Sequence, residues 1–158
     1  MVKDGDTLDL GGKTLKFISA PLLHWPDSMF TWDEAEKTLF TCDFLGAHFC
    51  EPSMIDTGIH AVYRRAYEGE LRYYFDCIFG PFKPAVLDGL DKMPADARLV
   101  CPSHGPCLTE TIDKAKELYR TWSTPAPKKQ RTAFVVYASA YGCTAALAQA
   151  AAQALTDV

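Results

Sequence analysis

In the stretch CDFLGAH, residues 42–48, Asp43 and His48 stand on either side of a Phe-Leu-Gly turn, just where the strand-like run KTLFT gives out. Asp and Gly are ordinary turn residues, so turn chemistry alone accounts for the stretch. A metal site is the other reading, and it depends on what else the chain offers. Two more histidines occupy comparable places, His24 in LLHWPDS and His104 in PSHGP. Each follows a strand-like run and has Pro or Gly close by, and strand-end loops on a rigid sheet are where sites tend to be built. Imidazole nitrogen and carboxylate oxygen together suit zinc, iron or manganese. A carboxylate can also bridge two ions through its two oxygens, and a pair roughly 3.5–4 Å apart is a known catalytic arrangement. The metal candidates are therefore His24, Asp43 and His104. His48 and His60 have no context beyond turn or surface positions, and no residue is singled out as a catalytic acid, base or nucleophile.

These three positions need strands to hold them. TLDL and TLKFIS alternate apolar and polar residues on either side of Gly-Gly, the pattern of a hairpin. FTW and KTLFTC flank DEAE in the same way. From Ile59 to Phe79 the apolar spacing becomes helical, with Gly69 as an expected interruption and GPFKP as the end. AVLDGLDKM (85–93) predicts a second helix stopped by Pro94. ARLVC (97–101) predicts a short buried strand leading into PSHGP. TETIDKAKELYRTW (109–122) predicts an amphipathic helix capped by Thr109, with Ile112 where a capping box would carry Glu or Gln.

STPAPKKQR (123–131) reads as an interdomain linker, rich in Pro and basic residues. Beyond it, TAFVVYASAYGCTAALAQAAAQAL predicts an apolar strand, a small-residue loop and an Ala-rich helix, the opening unit of a parallel-sheet domain. In that loop, Ser139, Ala140, Tyr141, Gly142, Cys143 and Thr144 form a second candidate site. Ser139 and Thr144 offer hydroxyls, Gly142 allows close backbone approach, and free amides at a helix N-terminus attract an anion. An N-cap cluster in any α/β domain is the plainer alternative.

Composition sets the bounds. The chain has 158 residues, 48% hydrophobic and 23% charged, enough for a soluble domain with a real core. Its net charge of −4 gives no basic footprint for nucleic acid. None of the six cysteines forms Cys-x-x-Cys, which leaves a zinc knuckle or thioredoxin-type motif unsupported. The N-terminus lacks the apolar core of a signal peptide, and AALAQAAAQAL is too short to span a bilayer. A cytoplasmic chain with reduced thiols is the expectation.

The segments LLHWPDSMFTW, LFTCDFLGAH, CPSHGP and VVYASAYGCT, in that order, resemble the flavodiiron proteins, also called A-type flavoproteins, over nearly the whole chain. The resemblance implies an α/β fold: a partial metallo-β-lactamase-like αββα sandwich, then the first β-loop-α unit of a flavodoxin-like doubly wound domain. It places the C-terminal half of the diiron domain at 1–122, the linker at 123–131 and the start of the FMN domain at 132–158. The gaps of 19 residues from His24 to Asp43 and 61 from Asp43 to His104 match the family's spacing for its last three iron ligands. By that resemblance His24 and His104 would each bind one iron and Asp43 would bridge them. The family's phosphate loop has the form Ser/Thr-x-Thr-Gly-x-Thr. Here Tyr141 replaces the middle Thr, as is usual among flavodiiron proteins, so residues 139–144 would hold the FMN phosphate.

In the family, electrons pass from a donor such as rubredoxin or a reductase to FMN and then to the irons, which reduce dioxygen to water or nitric oxide to nitrous oxide. Its members pair head to tail as homodimers, so a homodimer is expected here, with no nucleic-acid or membrane partner. One departure matters. The family's remaining ligands come from an upstream His-x-Glu-x-Asp motif, and this sequence has none. At most three protein ligands remain, so tight binding of two irons is not expected of this chain, nor is tight binding of FMN without the later flavin loops. Two other readings stay open: a hydrolase of the metallo-β-lactamase superfamily using a zinc-bound hydroxide, and a non-catalytic split or truncated module.

Overall fold

The structure is a computed structural model and describes residues 2–125 and 133–156. The chain divides into two compact units, Met1–Pro125 and Ala126–Val158.

The first unit is built on a five-stranded sheet in the order β1-β2-β3-β4-β5. Strands β1 (Thr7–Asp9) and β2 (Thr14–Ser19) are joined by the Gly11–Gly12 turn, and β3 (Met29–Asp33) and β4 (Thr38–Cys42) by Glu34–Lys37. These four run antiparallel, as their alternating patterns and short turns require. Strand β5 (Leu99–Pro102) lies parallel to β4, with Phe40 opposite Cys101. A parallel neighbour needs a long crossover, and the helical residues between β4 and β5 supply it.

That crossover carries α1 (Arg64–Tyr74) and α2 (Lys83–Lys92), and α3 (Ile112–Ser123) follows β5. Between α1 and α2 the coil widens to a π-type turn over Phe75–Phe79, which brings two phenylalanines fully inside. Phe30, Trp32, Leu39 and Val100 from one sheet face pack in a single core with Leu71, Phe75, Phe79, Val86, Leu90 and Tyr119 from the helices. Truncating any of the fully buried aromatics would cost about 3–5 kcal/mol.

The structure differs from the sequence expectations at several points. The first crossover helix begins at Arg64 rather than Ile59, because two short 3₁₀ turns, Asp56–Gly58 and Ala61–Tyr63, precede it. Gly69 does not interrupt α1, since it lies on an open part of the helix surface. Thr109 does not cap α3. Its hydroxyl and its amide are both taken by Asp56, and Thr111 occupies the N-cap position without a side-chain cap bond. From residue 126 the expected linker lies outside the described residues.

In the second unit the Ala-rich helix forms as α4 (Cys143–Thr156). The apolar run before it, residues 133–138, pairs with no strand among the described residues. A strand is a ladder shared with a neighbour, and none of the described residues shares one there. Phe134 and Val136 consequently stay exposed. Among the described residues no helix is long and apolar enough to cross a membrane.

Candidate metal centre

Three loops at one end of the sheet carry the site. His24 lies between β2 and β3, Asp43 follows β4 directly, and His104 follows β5. Because β4 and β5 are parallel neighbours, their C-terminal loops emerge at the same end. Because β2 is antiparallel to β3, and β3 to β4, the loop after β2 emerges there as well. Residues separated in sequence are thereby delivered to one place.

The loops are pinned together by backbone bonds. Ser103 N–H donates to the Cys42 carbonyl at 2.6 Å, and Ala47 N–H donates to the His104 carbonyl at 3.1 Å. The Asp43 turn is closed from inside by the buried Thr41 hydroxyl, which donates to the Phe44 carbonyl at 2.7 Å. Gly105 has φ +83°, and a Cβ there would stand 2.7 Å from the Ala47 carbonyl oxygen. Only glycine fits both the backbone conformation and the space.

The side chains meet about the Asp43 carboxylate. His24 Nε2 stands 3.1 Å from Asp43 Oδ2, and His104 Nε2 stands 3.3 Å from Asp43 Oδ1. Each oxygen thus faces a different imidazole. The three groups are strung in the order His24–Asp43–His104 rather than gathered about one point, and among the described residues no cluster of three or more donors converges as a site for one ion. Such a string can act as two hydrogen-bonded His–Asp pairs or as a carboxylate bridge with an imidazole at each end. Asp43 is the most enclosed of the three, with 15% of its side chain exposed against 27% for His24 and 48% for His104.

Aromatic rings form the wall. Phe79, from the π turn, meets His24 edge-on at 6.3 Å, and Trp25 lies tilted at 5.6 Å. Tyr74 lies 6.0 Å from the His104 ring. Burial pushes the Tyr74 phenol well above its ordinary range, and the nearby Asp43 charge adds to the shift, so the phenol keeps its proton. His48 is the residue the sequence reading passed over. Its ring packs 5.3 Å from His104 and 4.8 Å from Tyr74, both edge-on. The available signal was its position, five residues after Asp43 in the same loop. His60 stands apart and accepts a bond from Val62 N–H in a 3₁₀ turn.

A buried carboxylate secures the far side of the His104 loop. Asp56 is fully buried and accepts from the Thr109 amide (3.1 Å) and hydroxyl (2.6 Å) and from the Thr111 amide (2.9 Å) and hydroxyl (2.6 Å). Burial pushes its pKa up, but the four hydrogen bonds outweigh burial, and the net shift is downward. This second acid was not legible in the sequence, because its partners lie more than fifty residues away.

Residues 139–144 form a tight entry to α4. Gly142 adopts φ +87°, its N–H donates to Ser139 Oγ at 3.0 Å, and its carbonyl accepts from Ala146 N–H at 2.9 Å. Tyr141 and Cys143 are exposed.

A twisted sheet packed on one face by helices, with His, Asp and His at the ends of its strands, defines a metallo-β-lactamase-like domain. Comparison with known proteins agrees: the family model described as "ODP family beta lactamase" matches residues 1–78. The flavo-diiron protein FprA2 of Clostridium acetobutylicum is 48% identical over 161 residues, covering 99% of this chain and 40% of that protein. Among solved structures, the metal-soaked Flv1 flavodiiron core from Synechocystis is 35% identical, with a TM-score of 0.68 over 99% of this chain and 38% of the other. Rubredoxin oxygen:oxidoreductase from Desulfovibrio gigas is 29% identical, with a TM-score of 0.70 over 78% of this chain and 31% of the other. The chain belongs to the flavodiiron protein family. It spans less than half the length of these relatives.

Proposed function

We propose that this chain is part of a flavodiiron oxidoreductase in which His24 and His104 each hold one iron and Asp43 bridges the two. The observation that carries this reading is the division of the Asp43 carboxylate, with one oxygen toward each imidazole, at 3.1 and 3.3 Å. The donor set fits the group: nitrogen and carboxylate oxygen are ligands iron accepts, and the carboxylate already has the bridging disposition. A two-ion site needs more than three protein donors, so His24, Asp43 and His104 are part of its ligand set. Iron, when bound there, would supply the electrons and Lewis acidity for reduction of dioxygen or nitric oxide.

The chain's own contribution is placement. Thr41, Gly105 and the Asp56 clamp hold the donor loops in register, while Phe79 and Trp25 shield the His24 side. Tyr74 keeps a protonated phenol beside the site. Residues 139–144 would receive the FMN phosphate at the start of α4, where free amides and the helix dipole favour an anion. The domain organisation follows from the same reading: the diiron half-domain over 1–122, the linker over 123–131, and the start of the flavin domain from 132. A rubredoxin-like protein or a reductase is the proposed electron donor, and a homodimer the proposed assembly.

Anaerobic titration with iron(II), followed by equilibrium dialysis, tests the centre. Asp43→Ala is expected to weaken iron retention about tenfold or more, and His24→Ala and His104→Ala to weaken it similarly. Iron retained equally by the wild type and all three variants would defeat the assignment. A preference for zinc, with ester or phosphodiester cleavage, would favour a hydrolase instead.

A further inference from the structure

We propose that Cys101 and Cys107 form a reversible disulfide across the base of the turn that presents His104. Val100 and Leu108 exchange both backbone bonds, Val100 N–H to the Leu108 carbonyl at 2.9 Å and the reverse at 2.8 Å. They are a hydrogen-bonded antiparallel pair, so the next pair outward, Cys101 and Cys107, is of the non-hydrogen-bonded kind. Such pairs bring Cα atoms to about 4.5 Å, their side chains standing together on one face. That separation lies within the span a disulfide accepts, roughly 4.4–6.8 Å. One step further, the ladder must stop, because Pro102 and Pro106 have no N–H to continue it.

Burial agrees with the register. Val100 and Leu108 point into the core at 0% exposure, which sends Cys101 and Cys107 to the opposite, open face, where both are partly accessible. Burial raises the Cys101 thiol most, and the neighbouring Cys107 adds to the shift, to about 12. The backbone at Cys107 is fixed independently, its N–H donating to the Met54 carbonyl at 2.8 Å and its carbonyl accepting from Asp56 N–H at 2.9 Å. The pair is therefore held in place before any bond forms.

The oxidant is a low-molecular-weight disulfide. The Cys107 thiolate attacks one of its sulfurs, forming a mixed disulfide and releasing one small thiol, which takes up the Cys107 proton. Cys101 then attacks the Cys107 sulfur, forms the intrachain bond, and releases the second small thiol with the Cys101 proton. Two protein thiols are oxidised and one small disulfide is reduced to two thiols. Because His104 lies midway between the two cysteines, the cross-link closes a short ring around it and stiffens the loop. In a reducing compartment a bond of this kind acts as a sensor rather than a structural brace.

The test treats the whole reduced chain with oxidised glutathione, blocks free thiols with iodoacetamide, and maps tryptic peptides by mass spectrometry. Cleavage after Arg98 and Lys114 leaves both cysteines in one peptide. The expected result is that peptide unalkylated and lighter by two hydrogens, restored to the doubly alkylated form by prior dithiothreitol, while Cys77 is alkylated throughout. Hydrogen exchange at the His104 and Gly105 amides should slow several-fold on oxidation, and should not change in Cys107→Ser. The proposal is overturned by alkylation of Cys101 and Cys107 matching that of Cys77, by stable glutathione adducts on either, by a bond from Cys101 to Cys42, or by unchanged exchange in the oxidised wild type.

Discussion

The buried carboxylate of Asp56 is satisfied by four neutral donors. Both of its oxygens only accept, so replacing either by an amide group turns acceptors into donors facing other donors. Asp56→Asn should therefore lower stability by roughly 2–3 kcal/mol, the scale of hydrogen bonds to a charged group, read by urea denaturation at neutral pH. The pH dependence has a fixed sign. The folded-state pKa lies below the unfolded value of about 3.9, so the stabilisation is fully present above that value and is lost as pH falls through the folded pKa. Across that acid window the wild type should lose more stability than Asp56→Asn, and equal losses would show that the carboxylate is not held ionised.

Helices α1 and α2 each contain one glycine, and the same substitution should act oppositely at the two. At Gly69 a methyl group meets nothing within 4 Å. Gly69→Ala should stabilise by about 0.5–1 kcal/mol, through helix propensity alone. At Gly89 a Cβ would stand 2.3 Å from Leu23 Cδ1, and Leu23 is itself buried at 1% exposure. Overpacking of this kind costs about 1–3 kcal/mol, more than the propensity gain, so Gly89→Ala should lower the urea midpoint. It should also shift the NMR resonances of His24, which follows Leu23 directly. A raised midpoint with unmoved His24 signals would mean that α2 does not set the position of that loop. The contrast shows what the sequence could and could not convey. The strand pairs up to β4, the stop of α2 before Pro94 and the strand-end positions of His24, Asp43 and His104 were legible, because alternation and turn residues are local signals, whereas Gly69 was misread as an interruption of α1. The role of Gly89, the π turn carrying Phe79, the Asp56 clamp and the His48–Tyr74 contact were not, because each depends on which distant segment packs alongside. The strand expected at 133–138 had the right local composition but has no partner among the described residues, which composition does not report.

Within the first unit, helices pack on one face of the sheet and leave the other face largely without helices. On the uncovered face a shallow concavity of about 800 Å³ is lined by Trp25, Met29, Thr31, Phe40 and Cys101, among others. Trp25 is 63% exposed and Phe40 46% exposed, which is costly for large apolar side chains in water. Grouped apolar exposure of this kind marks a surface that binds apolar molecules, whereas a lone exposed side chain does not. Phe40 sits at the centre, between Thr31 on β3 and Cys101 on β5, while Met54 is 80% exposed but lines no part of the concavity. An anilinonaphthalene dye should therefore bind the native chain with enhanced fluorescence. Phe40→Ser should weaken that binding several-fold and Met54→Ser should leave it unchanged, provided circular dichroism shows both variants folded. Equal dye affinity in the wild type and Phe40→Ser would mean that the concavity is not a distinct apolar surface. Binding lost equally in both variants would place the dye elsewhere and dissociate exposure at Phe40 from any recognition by this face of the sheet.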